Sequence, residues 1–409
     1  MKAKSLRLLA SLFLLTLGIS SIAFVASASG KYMAGNRDFI AYWAAGQQLV
    51  HGANPYSRTA VLHLEKAQEL SGDQPLVMRN PPLAFFLALP LGFVSEQWGM
   101  VLWLLMLVGA LMASVRMLWI LNGRPGDRLH LLGYLFAPAL ACVMAGQIGI
   151  VLLLGMTIFL YWHRRRPFLA GAALLLCSVK PHLFLAFGAA LLAWALSRKA
   201  YRVLAGAATA IAASGALSMG LDFHAWAQYA RMMLSAGIQG EFVPSLSLLF
   251  RLLVDRGALW LQFVPAAAAC VWAIWYFRTR RDRWNWMEHG LLLLLVSVAT
   301  APYAWFTDEV VVLPAILAAL YRASGSGRRV WPFGFFSGIA LVEVMERVPL
   351  TSGFYLWTMP AWIAWYLYAT HGQAREAEAR VSGPLFAARL AQNCLYANLE
   401  EKSDGESAA

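Results

Sequence analysis

The chain has 409 residues, of which 60% are hydrophobic and only 13% charged, against roughly a quarter charged in a soluble domain. Apolar runs close to the ~20 residues that a spanning helix needs recur from end to end, which excludes a soluble enzyme. The net charge of +12 resembles a nucleic-acid footprint, but no basic stripe with stacking aromatics accompanies it, so nucleic acid is not an expected partner.

The basic residues sit instead in short breaks between apolar runs: Lys2/Lys4/Arg7, Arg124/Arg128, Arg164–Arg166, Arg198/Lys199/Arg202, Arg278/Arg280/Arg281/Arg283 and Arg322/Arg328/Arg329. This is the positive-inside pattern, and it assigns those breaks to the cytoplasmic side of a bacterial inner membrane. Cys142, Cys177, Cys270 and Cys394 are scattered, without a CxxC or a Cys/His cluster. Neither a disulfide framework nor a zinc site is supported.

In chain order, Lys2–Arg7, the apolar stretch Leu8–Val25 and Ala26-Ser27-Ala28 imitate a cleaved signal peptide. The stretch is longer than the usual core of about 7–15 residues, so it is read as a retained first helix near 6–28. A mixed segment, 29–97, follows on the outside. Spans then fall near 98–121, 129–145, 147–162, 167–180, 182–197 and 203–221. A second outer segment, 222–256, leads to spans near 258–277, 287–306, 308–321, 330–348 and 350–369. The expected architecture is an all-α polytopic membrane protein of about twelve transmembrane helices. A single transmembrane domain covers 1–370, and a polar tail, 371–409, lies in the cytoplasm.

Two stretches break the regular pattern. Pro82–Val94 is apolar but too short to cross, and it reads as a re-entrant or interfacial helix packed against protein. Pro167–Ser197 is bounded by basic residues at both ends. It is therefore a hairpin of two short helices, with its apex at Lys180-Pro181-His182 on the outer side, where proline ends the first helix.

Asp38 lies in the first outer segment, in Asn36-Arg37-Asp38-Phe39-Ile40-Ala41-Tyr42-Trp43. A carboxylate at that depth suits a general base that takes a proton from an acceptor hydroxyl. It equally suits an N-cap for the amphipathic run Phe39–Val50. The segment continues with the turn signature Gly52-Ala53-Asn54-Pro55-Tyr56 and with Arg79-Asn80-Pro81-Pro82-Leu83, where two prolines fix an extended entry. Lys180 is the only charged residue between Pro167 and Ser197. A charge in an apolar hairpin is retained with a partner, and a phosphate at the apex is one; snorkelling to headgroups is the other reading. His182 can donate to the same anion. Gln147, after Gly146, is either a ligand for sugar or phosphate or part of a tight polar turn. Thr300–Glu309 forms a further outer turn, solvated or bringing Asp308 and Glu309 to the same plane as a carboxylate pair. Glu343 and Arg347 are spaced as a neutralising i,i+4 pair.

By this topology Asp38, Gln147, Lys180 and Asp308 come from four distant parts of the chain to one face. Such a ring suits a lipid-linked, phosphate-bearing substrate.

Asp38-Phe39-Ile40-Ala41-Tyr42, Gly52-Ala53-Asn54-Pro55-Tyr56 and Pro81-Pro82-Leu83, with Gly146-Gln147 and Lys180-Pro181, resemble the GT-C membrane glycosyltransferases. The closer resemblance, over residues 6–320, is to the family-87 branch, which includes polyprenol-phosphate-mannose-dependent α-mannosyltransferases. It implies a GT-C-type fold with interfacial helices in the first outer loop. It also implies inverting transfer of a sugar, mannose first, from a polyprenyl-phosphate donor to a lipid or glycan acceptor on the periplasmic side. Asp38 would be the catalytic base. Lys180 and His182 would bind the donor phosphate, and Arg37, Tyr42, Tyr56, Arg79, Asn80, Gln147, Tyr303 and Asp308 would bind substrate. The chain departs from the branch at a late Ser-Pro-x-Ser-Trp motif, where it has Ala301-Pro302-Tyr303-Ala304-Trp305. No Asp-x-Asp occurs in the outer segments, so a required divalent metal is unsupported, although Asp38 with Asp308 could bind one, and no other cofactor is expected. A flippase or transporter of a lipid-linked substrate is the alternative, although the paired broken helices of transporters are not evident. A non-catalytic assembly subunit is a third reading.

Overall fold

The computed structural model describes residues 35–67, 75–235 and 242–371, with side chains in the first helix from Asp38 onward. The expected helix 6–28, the side chain of Arg37, Cys394 and the tail beyond His371 lie outside the described residues. What is described is 79% helical, with no strand.

Helix α1 (Gly35–Val50) and α2 (Arg58–Ala67) precede a broken helical segment, Pro82–Phe93. Then come α3 (Glu96–Leu121), α4 (Ala137–Ala145), α5 (Gly149–Trp162), α6 (Pro167–Ser178), α7 (Leu185–Ser197) and α8 (Tyr201–Leu221). The second loop segment folds as α9 (Ala225–Ser235) and α10 (Leu246–Val254). Helices α11 (Val264–Thr279), α12 (Leu291–Ala299), α13 (Leu313–Gly325), α14 (Trp331–Met345) and α15 (Thr358–Thr370) complete the bundle.

Glu96–Leu121, Tyr201–Leu221 and Leu259–Thr279 are long and apolar enough to cross a membrane. The remaining apolar helices are shorter. Helices α5 and α6, of 14 and 12 residues, rise only roughly 18–21 Å each, less than a ~30 Å hydrocarbon core. The described helices thus support three full-length spans and a set of short ones; they do not by themselves make twelve. Proline explains many of the starts. Pro138, Pro167 and Pro314 stand at the first or second position of α4, α6 and α13, where a missing N–H costs nothing. Short 3₁₀ turns such as Leu129–Leu135 and Pro181–Phe184 lead into the helices that follow.

The Pro167–Ser197 hairpin is present, with Lys180 between α6 and the 3₁₀ turn that begins at Pro181. Pro82–Phe93 is a broken, partly 3₁₀ segment, and α1 docks on it. A Cβ on Gly46 would fall 2.2 Å from the Ala88 carbonyl oxygen, and one on Gly92 2.2 Å from that of Gly46, so only two glycines allow this approach. Gln47 Nε2 donates to the Gly92 and Val94 carbonyls at 3.1 and 3.2 Å, which anchors the broken backbone. Helices α6 and α8 approach as closely: a Cβ on Gly171 or Gly206 would lie 1.9 Å from a carbonyl oxygen of the facing helix. Small residues permit such backbone contact between helices in lipid.

The most deeply buried stretch is Phe306–Leu320, where a 3₁₀ turn (Phe306–Val312) runs into α13. Two expectations change here. Asp38 is not an N-cap: α1 begins at Gly35 and Asp38 stands in its first turn, where a carboxylate is favoured by the exposed N–H groups. Glu343 and Arg347 do not share a helix face, because α14 ends at Met345 and Arg347 has a φ of 58° beyond it. Glu343 instead accepts from Trp357 Nε1 at 3.0 Å.

Candidate functional site

Helix direction sorts the loops into two ends. Helices α5, α6, α7 and α12 each run between a polar turn and a basic break. The turns at Gln147, Lys180 and Thr300–Trp305 therefore share one end, and the breaks at Arg164, Arg198 and Arg283 share the other.

Asn80 organises the polar end. Its Oδ1 accepts from the Tyr42 hydroxyl at 2.9 Å, its carbonyl accepts from the Tyr56 hydroxyl at 2.9 Å, and its Nδ2 donates to the Val179 carbonyl at 3.1 Å. One buried amide thus joins α1, the turn after it, the Pro81-Pro82 entry and the Lys180 apex. Tyr42 also stacks on Trp103, with ring centroids 4.6 Å apart, and Trp103 Nε1 donates to the Gly146 carbonyl at 2.8 Å. Gly146, in the left-handed conformation at φ 65°, closes α4 and presents Gln147.

Lys180 is held by groups from two further elements. Its ammonium lies 2.7 Å from Asp308 Oδ1 and donates to Gln147 Oε1 at 3.4 Å. Asp308 Oδ2 accepts the Trp305 backbone N–H at 3.1 Å, so both carboxylate oxygens are engaged. Asp308 is 1% exposed and Lys180 13%. The turn that carries Asp308 is therefore not a solvated loop, and the partner of Lys180 in this structure is a carboxylate. Glu309 leaves the site: Thr358 Oγ1 and Trp362 Nε1 donate to its two oxygens at 2.7 and 2.8 Å. The two acids are not a pair; one serves the site and the other fastens α15.

The His182 ring lies against Tyr303, centroids 4.0 Å apart. Arg79 and Tyr229 lie within electrostatic reach of Tyr303, and Tyr229 also packs on Tyr56 at 5.5 Å. Tyr229, on α9, was not singled out from the sequence; a tyrosine on an amphipathic helix of the second loop segment was the available signal. Burial, reinforced by the negative charges of Asp38 and Asp308, holds the Tyr42 phenol well above its ordinary pKa. Burial does the same for Tyr56, so both remain neutral donors.

Asp38 is half-buried one helical turn before Tyr42. The structure thus gathers Asn80, Tyr42, Gln147, Lys180, Asp308, His182 and Tyr303, with Asp38, Arg79 and Tyr56 at the margin. Among the described residues no group of three or more His, Cys, Asp or Glu side chains could hold a metal ion. Chemically, the cluster offers a fixed cation, a buried carboxylate that orients it, neutral hydroxyl and amide donors, and a second carboxylate nearby.

An apolar chain whose described residues are helices and turns, with a buried polar cluster at one end, defines a membrane protein. The model of glycosyltransferase family 87 matches residues 79–302, and the chain belongs to that family. It is accordingly a glycosyltransferase. No curated protein and no solved structure matches it.

Proposed function

We propose that the chain transfers a sugar, with mannose the first candidate, from a polyprenyl-phosphate donor to a lipid or glycan acceptor at the periplasmic face of the inner membrane. The observation that carries this reading is the convergence of Asn80, Gln147, Lys180 and Asp308 beside Asp38 at one end of an apolar bundle. A phosphate-linked lipid reaches such a site from the bilayer.

In this reading the acceptor hydroxyl oxygen attacks the anomeric carbon as its bond to the phosphate oxygen breaks. The hydroxyl proton passes to Asp38, and the polyprenyl phosphate leaves with the bonding pair, giving inversion. An ammonium has three N–H donors. Asp308 and Gln147 orient Lys180, and its 13% exposed remainder faces the charge that grows on the leaving phosphate. A cation fixed in advance is worth most there, since nothing reorganises during reaction. Arg79 adds positive charge beside Tyr303, and the packed rings of His182 and Tyr303 form an aromatic wall suited to a sugar face. Tyr42, Tyr56 and Asn80 act through position, because their polar atoms hold one another.

Purified protein is incubated with labelled polyprenyl-phosphate sugars and membrane lipid extract. A labelled product is expected, and its sugar identifies the donor. Asp38→Asn is expected to lower turnover by about 10²–10⁴-fold while the protein still inserts and unfolds normally; full activity would remove Asp38 from the role of base. For Lys180→Arg, which keeps the charge, partial recovery of donor use relative to Lys180→Ala is expected. An unchanged donor dependence in Lys180→Ala would refute the phosphate role.

A further inference from the structure

At the end of the bundle opposite Lys180 there is a cavity of about 320 Å³. Arg164, Arg198, Lys199 and Arg202 line it, together with Trp284 and Trp286. All four cations are exposed, and like charges around one opening repel. Arg198 is partly committed, since its Nη2 donates to the backbone carbonyls of Arg281 and Asp282 at 2.9 and 3.3 Å. The two tryptophans are 8% and 1% exposed. Neither indole N–H has an acceptor among the described residues, an unfavourable state unless an acceptor arrives.

Two helices begin at this cavity. Pro167 is the first residue of α6 and Arg202 the second of α8, and both are in its wall. The Gly171–Gly206 contact holds these helices side by side, and they run in the same direction because α7 returns between them. Their positive ends thus point to one place, the arrangement that backbone N–H groups offer an anion. Cations and two helix N-termini converge on a single volume, and the two buried indoles form part of its wall.

The surroundings decide what kind of anion. Phe168, Leu169, Leu196 and Tyr201, neighbours in sequence of the lining residues, are 44%, 42%, 54% and 56% exposed. An apolar rim of this kind faces acyl chains, whereas a site for a soluble anion opens to water. We propose that the cavity binds the phosphate headgroup of an anionic phospholipid, in the leaflet opposite the candidate active site. Basic pockets between helices at the positively charged side recognise such headgroups, and the guanidinium forks of Arg164 and Arg202 match a phosphate. A headgroup seated there ties α6, α7 and α8 together from the end opposite the Lys180 apex.

The test uses the purified full chain in neutral detergent, with lipid retention read by native mass spectrometry and stability by thermal unfolding. Phosphatidylglycerol, phosphatidylcholine with the same acyl chains, and inorganic phosphate are compared. Phosphatidylglycerol is expected to be retained and to raise the unfolding temperature; the other two are not. The double variant Arg164→Gln/Arg202→Gln, at exposed positions that leave the fold intact, should bind phosphatidylglycerol roughly thirtyfold more weakly, at about fivefold per charge. Trp284→Phe keeps the ring, removes one donor and should weaken binding further. Equal retention of phosphatidylcholine, or undiminished binding in the arginine double variant, would overturn the site. Equal protection by inorganic phosphate would overturn its assignment to lipid.

Discussion

At the Lys180 end of the bundle the ammonium lies 2.7 Å from Asp308, and Asn80 joins three elements through its own atoms. At the opposite end four cations surround a cavity walled by two buried tryptophans, whose indole N–H groups meet no acceptor among the described residues. The same short helices connect both ends, so the contrast lies in the turns. A cluster whose members satisfy one another is set for a reaction in which charge moves and the protein does not. A cluster whose members face a cavity without mutual partners is set to hold something else. Charge density alone does not distinguish a catalytic site from a ligand cradle; the internal pairing does.

The comparison is broken hardest by removing one partner at the paired end. Lys180→Ala leaves the Asp308 carboxylate 1% exposed without its counter-ion. Stripping one member of a buried pair costs on the order of 3–5 kcal/mol, so unfolding in detergent should come markedly earlier. Lys180→Met/Asp308→Leu removes both charges and should recover most of that stability but none of the sugar transfer. If Lys180→Ala unfolds like the wild type, Asp308 is not held by this pair. At the other end, Arg202→Gln without lipid should change stability by no more than about 0.5 kcal/mol, as exposed substitutions usually do.

A steric change tests the scaffold that both ends share. Gly171→Ala places a methyl 1.9 Å from the Val203 carbonyl oxygen, so α6 and α8 must separate. Overpacking of this kind costs about 1–3 kcal/mol. Because α6 reaches from the cavity to Lys180, both donor use and phosphatidylglycerol binding should weaken. Loss of only one would show that the two ends are not coupled through this contact.

The hairpin at Lys180 was legible because a lone lysine and a proline interrupt an otherwise apolar run, and Gly146-Gln147 for the same reason of punctuation. The family was legible from the order of weak motifs. Pairing across distance was not. Lys180 and Asp308 are 128 residues apart, and nothing local in either segment records the other. Asp308 and Glu309 looked like one carboxylate pair because they are adjacent, yet successive residues on a 3₁₀ turn point about 120° apart, toward Lys180 and toward α15. Asn80 read as part of an extended entry and, through the resemblance, as a substrate contact, because a hydrogen-bonding centre has no sequence signature. Trp284 and Trp286 carry no local signal that separates them from the other tryptophans among the chain's 17, which hid the two at the basic cavity.

The mildest perturbation is the one that asks whether Asn80 needs all its partners. Tyr56→Phe removes a hydroxyl that donates to the Asn80 carbonyl at 2.9 Å and keeps the ring against Phe85 and Tyr229, 5.9 and 5.5 Å away. Removing a buried hydrogen bond of this type costs about 1 kcal/mol, too little to unfold the chain. Its effect on the reaction depends on what Tyr56 does. If the tyrosine only positions the Asn80 turn, turnover should fall modestly and the apparent affinity for donor should stay the same. A rise in KM for donor at constant kcat would instead make Tyr56 a substrate contact. The paired end would then be partly built, like the cavity opposite, to meet a ligand.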